Sequence, residues 1–324
     1  MRIALIGQAA FGEAVFNALR DAGEEIVAVS SIAGTTERPD ALYTAAQAAG
    51  TPFFPTGKLK KPDVLDAYAA TKPDLGIMAF VTHILPRRVL DLPALGTVQY
   101  HPSLLPRHRG ISAMHWAIRA GETKTGLTIF WVDAGIDTGP MLLQREAAIA
   151  PDDTVGSLYF DKLFAPGVES LVEAVRLVRE GRAPKIAQDE AQATYEPPAD
   201  DANSGIAWAL PARRVYDLIR GSNPSPGAHA TLSGARVRIF DARLSGDPRP
   251  PVPSPRSGER EARSPGSVLA IGKSVDIALD GGVLHARRLA LDGGRKLGAA
   301  EFAEAAGLAV GARFGDGREH PGIA

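Results

Sequence analysis

The chain of 324 residues contains no cysteine. Disulfides, thiolate metal sites and cysteine nucleophiles are excluded together, and nothing marks a redox compartment. An excess of charge of one sign is missing too. Lys and Arg number 36 against 37 Asp and Glu, for a net charge of −1. A nucleic-acid binder ordinarily shows a basic excess or stripe, so composition favours no such partner. No apolar run approaches the roughly 18 residues of a membrane helix, and a membrane partner is not expected. The opening "MRIALIGQAAFG" carries one Arg and an apolar run too short for a signal peptide, so a cytoplasmic protein is the expectation. What is present is a 45% hydrophobic composition, enough to build one large or two ordinary cores. The oligomeric state leaves no signal.

The first half alternates strand and helix patterns. "RIALIG" (2–7) reads as a buried strand ended by glycine. "GEAVFNALRDAG" (12–23) reads as a helix, with Val15, Leu19 and Ala22 at helical steps, followed by the strand "EIVAVSS" (25–31) and a helix over 40–50. "TPFFP" reads as a short strand, 63–71 as a helix, and "LGIMAF" (75–80) and "GTVQYH" (96–101) as strands. Such alternation predicts an α/β domain with a Rossmann-like parallel sheet and helices on both faces. Ligands bind such sheets beyond the carboxyl ends of the strands, where His101 stands. "LTIFWV" (127–132) and "MLLQREAAIA" (141–150) read as further strands, and a helix over 154–179 has Asp153 as its candidate N-cap.

After a connection rich in Pro, Asp and Ala the pattern changes. A helix at 212–221 precedes short alternating strands with glycine turns, which suggest a smaller β-barrel domain. The expected division is a catalytic domain over 1–188, a linker over 189–205 and an OB-like barrel domain over 206–324. Within the last, 245–265 lacks apolar periodicity and is rich in Pro, Ser and Arg, so a disordered insertion is expected.

Several motifs invite chemistry. "GQAAFG" (7–12) approaches a dinucleotide fingerprint, but Ala9 stands at its middle glycine and the second strand ends in Ser30 and Ser31 without an acid. A tight strand-to-helix turn is the plainer reading, and no NAD is expected. "PTGKLKK" (55–61) lacks the other residues of a phosphate loop. His101, His108 and His115 are interrupted by proline and glycine, so no single helix face presents them and no metal is expected. "DAGIDTG" (133–139) places two aspartates in a glycine-rich turn after a strand. Capping of backbone N–H groups is the favoured reading for Asp133. Asp137 has a second reading: a carboxylate facing His101 could fix its tautomer and move protons.

"HPSLLPRHRG", "FWVDAGIDTGPMLLQRE" and "PDDTVGSLY" resemble the formyltransferase family that uses 10-formyltetrahydrofolate. "RHRGISAMHWAI", "ATYEPP" and "PGSVLAIG" extend the likeness over nearly the whole chain, apart from the insertion. It is strongest to the N-terminal hydrolase domain of 10-formyltetrahydrofolate dehydrogenase. The resemblance implies a 10-formyltetrahydrofolate-dependent enzyme, with the folate as formyl-donor substrate and water or a small amine as acceptor. It implies catalytic roles for His101 and Asp137, and a folate wall in the loop 79–86, with Phe80, Val81 and Ile84. The turn Ser103, Leu104, Leu105 and the loop residue Asp133 complete the candidate folate contacts. Where many relatives have Asn, this chain has Gln99, whose amide is a candidate oxyanion donor one methylene further out. Arg107 and Arg109 have two readings: attraction of an anionic tail, or ion pairs that hold the loop. His108 and His115 read as structural.

Other readings stay open. The dehydrogenase also needs carrier and aldehyde-oxidising domains, so this sequence is not expected to be that whole oxidoreductase by itself. A methionyl-tRNA formyltransferase would use a basic loop after the second strand, yet "SIAGTTERPD" is mixed in charge. Arg213, Arg214, Arg236 and Arg238 are the contrary sign, and tRNA is the less expected partner. A formyltransferase for an amino sugar is a further alternative. A non-catalytic folate-binding protein is disfavoured by the His101/Asp137 pair.

Overall fold

Alternate residues of the first strand, β1 (Arg2–Gly7), enter different cores, which fixes it as a strand covered on both faces. Ile3 and Leu5 join one cluster with Phe11, Val15 and Leu19. Ala4 and Ile6 join another with Tyr68, Met78 and Val89. The computed structural model describes residues 1–32, 38–246 and 264–317. Residues 247–263, the bulk of the expected insertion, and 33–37 of the loop after the second strand lie outside them.

The described residues form two compact units. The first comprises Met1–Ala113, Lys124–Ala148 and Tyr159–Glu196. Segments 114–123 and 149–158, within the stretch expected as one catalytic domain, group instead with the second unit, which continues from Pro197.

In the first unit β1 is followed by α1 (Ala9–Asp21), β2 (Glu25–Ser30), α2 (Ala41–Ala48), α3 (Pro62–Ala69) and β3 (Leu75–Ala79). Then come α4 (Arg87–Leu90), β4 (Thr97–His101), β5 (Lys124–Trp131) and β6 (Met141–Ala148), while α5 (Ala113–Arg119), between β4 and β5 in the chain, groups with the second unit from residue 114 on. The sheet order is β2-β1-β3-β4-β5-β6. Pairs β1–β2, β1–β3 and β3–β4 are parallel, as the alternating pattern predicts. The last two pairs are antiparallel, a departure from an all-parallel sheet. The direction of β6 follows from its short loop, which returns the chain beside β5 without a crossover. Its buried and exposed positions alternate, as in a strand covered on one face.

Three local readings shift. The helix expected from Gly12 begins at Ala9. Gly12 packs tightly, because a Cβ there would lie 3.0 Å from Leu42 Cδ2 and 3.3 Å from the carbonyl carbon of Gly7, so a larger residue requires its neighbours to shift. The backbone N–H of Ala9 donates to Asp40 Oδ2 at 2.6 Å, so a carboxylate takes a donor that a dinucleotide pyrophosphate would need. "TPFFP" contributes one bridge, Val29–Phe53, rather than a strand. The helix at 154–179 is built as α6 (Val155–Ser157), a π-turn over Leu158–Leu163 and α7 (Phe164–Arg179). Its N-cap is Thr154, whose hydroxyl accepts from the Ser157 N–H, while Asp153 accepts from the Ala150 N–H.

The second unit holds α8 (Ala212–Arg220), then β7 (Ala228–Leu232), β8 (Ala235–Ile239), β9 (Ala242–Ser245) and β10 (Val268–Ile271). It continues with β11 (Val275–Leu279), β12 (Gly282–Ala286), β13 (Arg288–Leu291), β14 (Leu297–Gly298) and a helix, α9 (Ala299–Ala306). Two four-stranded antiparallel sheets, β10-β11-β12-β9 and β14-β13-β8-β7, enclose one core. The helix α9 had no clear periodic signature. Its sequence is alanine-rich, and Phe302 is the one large side chain it sends into that core.

Candidate active site

Gln99 and His101 are two residues apart on β4, so their side chains share a face of the sheet. His101 is its last residue, beyond which the chain turns through Ser103–Pro106. Asp137 comes from the loop between β5 and β6, where it adopts a left-handed backbone, φ +55°. Aspartate tolerates that region better than most residues. Two glycines allow the loop to fold so tightly. A Cβ at Gly139 would lie 1.7 Å from the Trp131 carbonyl oxygen, and one at Gly135 would lie 2.1 Å from Thr138 Oγ1.

His101 and Asp137 are buried, with 4% and 8% of their surface exposed. His101 Nε2 lies 2.8 Å from the carbonyl oxygen of His108. A carbonyl only accepts, so Nε2 carries a proton and, in the neutral ring, Nδ1 holds the lone pair. Nδ1 faces Asp137 Oδ2 at 3.5 Å. Two lone pairs cannot bond each other, so this gap is bridged only when a proton sits on the ring or on the acid. The Gly110 N–H donates to the same Oδ2 at 2.8 Å, and the Gln99 amide reaches Oδ1 at 3.4 Å. The structure thus assembles a titratable pair with a neutral amide beside it at the carboxyl end of β4.

Each remaining candidate has surroundings of its own. Phe80, also left-handed at φ +57°, packs among Phe11, Tyr100 and Tyr159. Val81 is partly buried and Ile84 projects with 86% of its surface exposed. Ser103 is fully buried and its hydroxyl donates to the Arg107 carbonyl, so that group serves the turn. Leu105 is buried and its backbone is held by Thr128 and Gln144, while Leu104 is partly buried. Asp133 Oδ1 accepts from the Gly135 N–H and the Thr138 hydroxyl, the capping role its place in the turn predicts.

Arg109 resolves in favour of ion pairing. It is 1% exposed, forks onto both oxygens of Glu190, and also reaches Gln188 and Tyr195. The hydrogen bond to Glu190 raises its pKa above the ordinary arginine value. His108 Nδ1 pairs with Glu196 at 3.0 Å. These partners sit in the Pro-, Asp- and Ala-rich segment whose composition reads as a plain connection. Within it, Gln188 donates to the carbonyls of both Asp137 and Gly139 at 2.8 Å while its own carbonyl accepts from Arg109. The Thr194 hydroxyl accepts from the His108 N–H, and the Thr194 carbonyl from the Arg109 N–H. Residues 188–196 therefore clamp the loop whose His108 carbonyl meets His101 and the loop that carries Asp137. The available signal was the cluster of Gln, Thr, Tyr and Glu within an Ala- and Asp-rich stretch.

Sequence comparison matches residues 1–175 to the family described as formyl transferase, and residues 200–307 to its C-terminal domain. The chain belongs to the formyltransferase family. It is 38% identical over 319 residues to the mouse mitochondrial 10-formyltetrahydrofolate dehydrogenase, covering 96% of this chain and 34% of that protein. It is also 38% identical over 251 residues to methionyl-tRNA formyltransferase of Moorella thermoacetica, covering 76% and 80% respectively. The solved structure of HypX from Aquifex aeolicus with tetrahydrofolic acid shares the fold at a TM-score of 0.66 and 20% identity, over 96% of this chain and 48% of that one. The chain spans about a third of the length of the dehydrogenases it matches. Among the described residues, no group of three or more His, Asp or Glu side chains is placed to hold a metal ion. No described helix is long and apolar enough to cross a membrane.

Proposed function

We propose that this chain is a 10-formyltetrahydrofolate-dependent enzyme that hydrolyses the formyl group or hands it to a small amine. The observation that carries the proposal is the buried His101–Asp137 pair, with Nε2 locked on a carbonyl and Nδ1 turned toward the acid.

The formyl group on the folate N10 is an amide-like carbonyl. Attack by water or an amine turns its oxygen into an oxyanion that needs a donor. Nε2–H is committed to His108, so the His101 atom that serves the oxyanion is Nδ1, and it donates only as imidazolium. Asp137 balances that charge and accepts the nucleophile's proton. The proton then passes to N10 as the carbon–nitrogen bond breaks. The Gln99 amide supplies the second donor. Preorganised donors of this kind act strongly because they are already oriented when charge develops. Phe80, Val81 and Ile84 form the apolar side of the folate site. The Ser103–Leu105 turn forms its floor, and Asp133 keeps the loop of Asp137 in shape.

Acceptor choice is the finer part of the reading. Water or a small amine is favoured over tRNA because two of the basic residues of the second unit are already paired. Arg238 binds Asp201 and Asp292, and Arg236 binds Asp201. The test is incubation with 10-formyltetrahydrofolate, without and with amine acceptors, following formate, tetrahydrofolate and formylated product. Release of tetrahydrofolate with one of the two formyl products is expected. Absence of turnover under every condition would sink the reading.

A further inference from the structure

The second unit carries another chain of hydroxyl, imidazole and carboxylate, unrelated to the His101 site. Ser245 ends β9, and its Oγ lies 2.7 Å from Nε2 of His285 on β12. Nδ1 of the same ring lies 2.8 Å from Asp276 Oδ1 on β11. Ser274 donates to that same oxygen at 2.6 Å. The carboxylate only accepts, so Nδ1 carries the proton and Nε2 the lone pair. The Ser245 hydroxyl then donates to Nε2, and one tautomer satisfies every member.

Strand register produces this alignment. Asp276 is directly opposite His285 in the β11–β12 pair. Arg243 is opposite His285 in the β12–β9 pair, so Ser245, two residues further on, shares their face. The side chains remain within reach of solvent, with His285 30% and Asp276 27% exposed. Cross-strand polar contacts alone would explain residues that merely touch. Here the hydroxyl meets the free nitrogen of a ring whose other nitrogen is oriented by an acid, the arrangement that activates a serine.

We infer that Ser245 is a nucleophilic serine, accepting acyl or phosphonyl groups from activated esters and phosphonofluoridates. In the first step the Oγ–carbon bond forms and the bond to the leaving alcohol breaks. The serine proton passes to His285 Nε2 and on to the departing oxygen. With a phosphonofluoridate the Oγ–phosphorus bond forms and the phosphorus–fluorine bond breaks, the serine proton leaving through His285 with fluoride. Water then attacks the acyl-serine with His285 as base, giving the acid and the free hydroxyl. The sum is ester plus water to acid plus alcohol, with no redox partner.

The experiment treats the folded full-length protein with a fluorophosphonate probe and maps the adduct by mass spectrometry. A parallel assay follows p-nitrophenyl acetate hydrolysis. One adduct on Ser245 is expected, absent from urea-unfolded protein and from Ser245→Ala. His285→Ala and Asp276→Asn should each slow labelling, His285→Ala by about a hundredfold, the lower end for loss of a general base. Thermal unfolding of each variant shows that it is folded. The inference is overturned by no adduct on the folded parent, by an adduct that persists in Ser245→Ala, or by His285→Ala labelling at the parent rate.

Discussion

At His101 the decisive feature is the direction of one proton. The His108 carbonyl holds Nε2–H, so whatever His101 does for a substrate it does through Nδ1. His101→Ala and Asp137→Ala should each lower formyl turnover by about a hundredfold or more, as expected when acid–base and oxyanion contributions are lost. Folate affinity, measured by fluorescence titration, should change much less, because the proposed apolar wall of Phe80, Val81 and Ile84 is untouched. A variant that keeps near-parent turnover removes that residue from the mechanism. His115 shows another use of an imidazole, here half-buried. Its Nε2–H donates to the Ser225 carbonyl at 3.2 Å, and Nδ1 is buried with no hydrogen-bond partner among the described residues. Burial, and then the nearby charge of Arg119, lower its pKa below the ordinary value. Below about pH 6.5 the unfolded chain takes up a proton that folded His115 resists, so stability falls as pH falls through that range. Urea midpoints for the parent should therefore drop more between about pH 7.5 and about pH 5.5 than those of His115→Gln. Equal drops would show that the ring is protonated without cost in the fold.

The segment 188–196 has little regular structure of its own, one short turn of 3-10 helix at Glu190–Gln192, yet it fixes two loops of the site. Gln188 acts on the Asp137 loop through backbone carbonyls, and on the His108 loop through Arg109. Gln188→Leu removes both connections, whereas Gln188→Glu keeps an acceptor for Arg109 and loses only the two N–H donors. Both should lower kcat by about tenfold, near the cost of a lost buried hydrogen bond, with a smaller change in KM for the folate. If Gln188→Glu behaves as the parent, the donors to Asp137 and Gly139 do not position the acid. His101 and Asp137 were legible in the sequence because a strand end and a glycine-rich turn are local patterns. Gln188 was not, because its partner at Asp137 is 51 residues away and is a backbone atom. The same limit hid the direction of β5 and β6. Their apolar residues mark them as strands, but pairing direction depends on where the chain returns. The Thr154 cap was missed for a finer reason: Asp153 and Thr154 are both good caps, and only geometry decides which hydroxyl or carboxylate meets the open N–H.

Across the whole molecule, charge placement bears on the acceptor. A tRNA-binding surface must neutralise several phosphates with free cations, and its affinity falls steeply with salt. The near-zero net charge does not decide this, because a basic stripe can coexist with acid elsewhere. The local pairing is more telling. Arg213 is bound to Asp217, and Arg236 and Arg238 share Asp201 and Asp292, so a phosphate would have to compete with carboxylates already in place. Exposed pairs of this kind contribute only about 0–1 kcal/mol each, so they weaken a phosphate contact rather than forbid it. We therefore expect weak tRNA binding that disappears at moderate salt, and formate or a small formylated amine as the main product. The measurement sets charged initiator tRNA against water and small amines in one assay with 10-formyltetrahydrofolate. Formyl-methionyl-tRNA appearing well above the rate of formate release would assign the acceptor to tRNA. Asp201→Asn and Asp292→Asn would then be expected to strengthen tRNA binding further, since each frees positive charge on Arg236 and Arg238. If those substitutions leave both tRNA binding and its salt dependence unchanged, the arginines of this face play no part in choosing the acceptor.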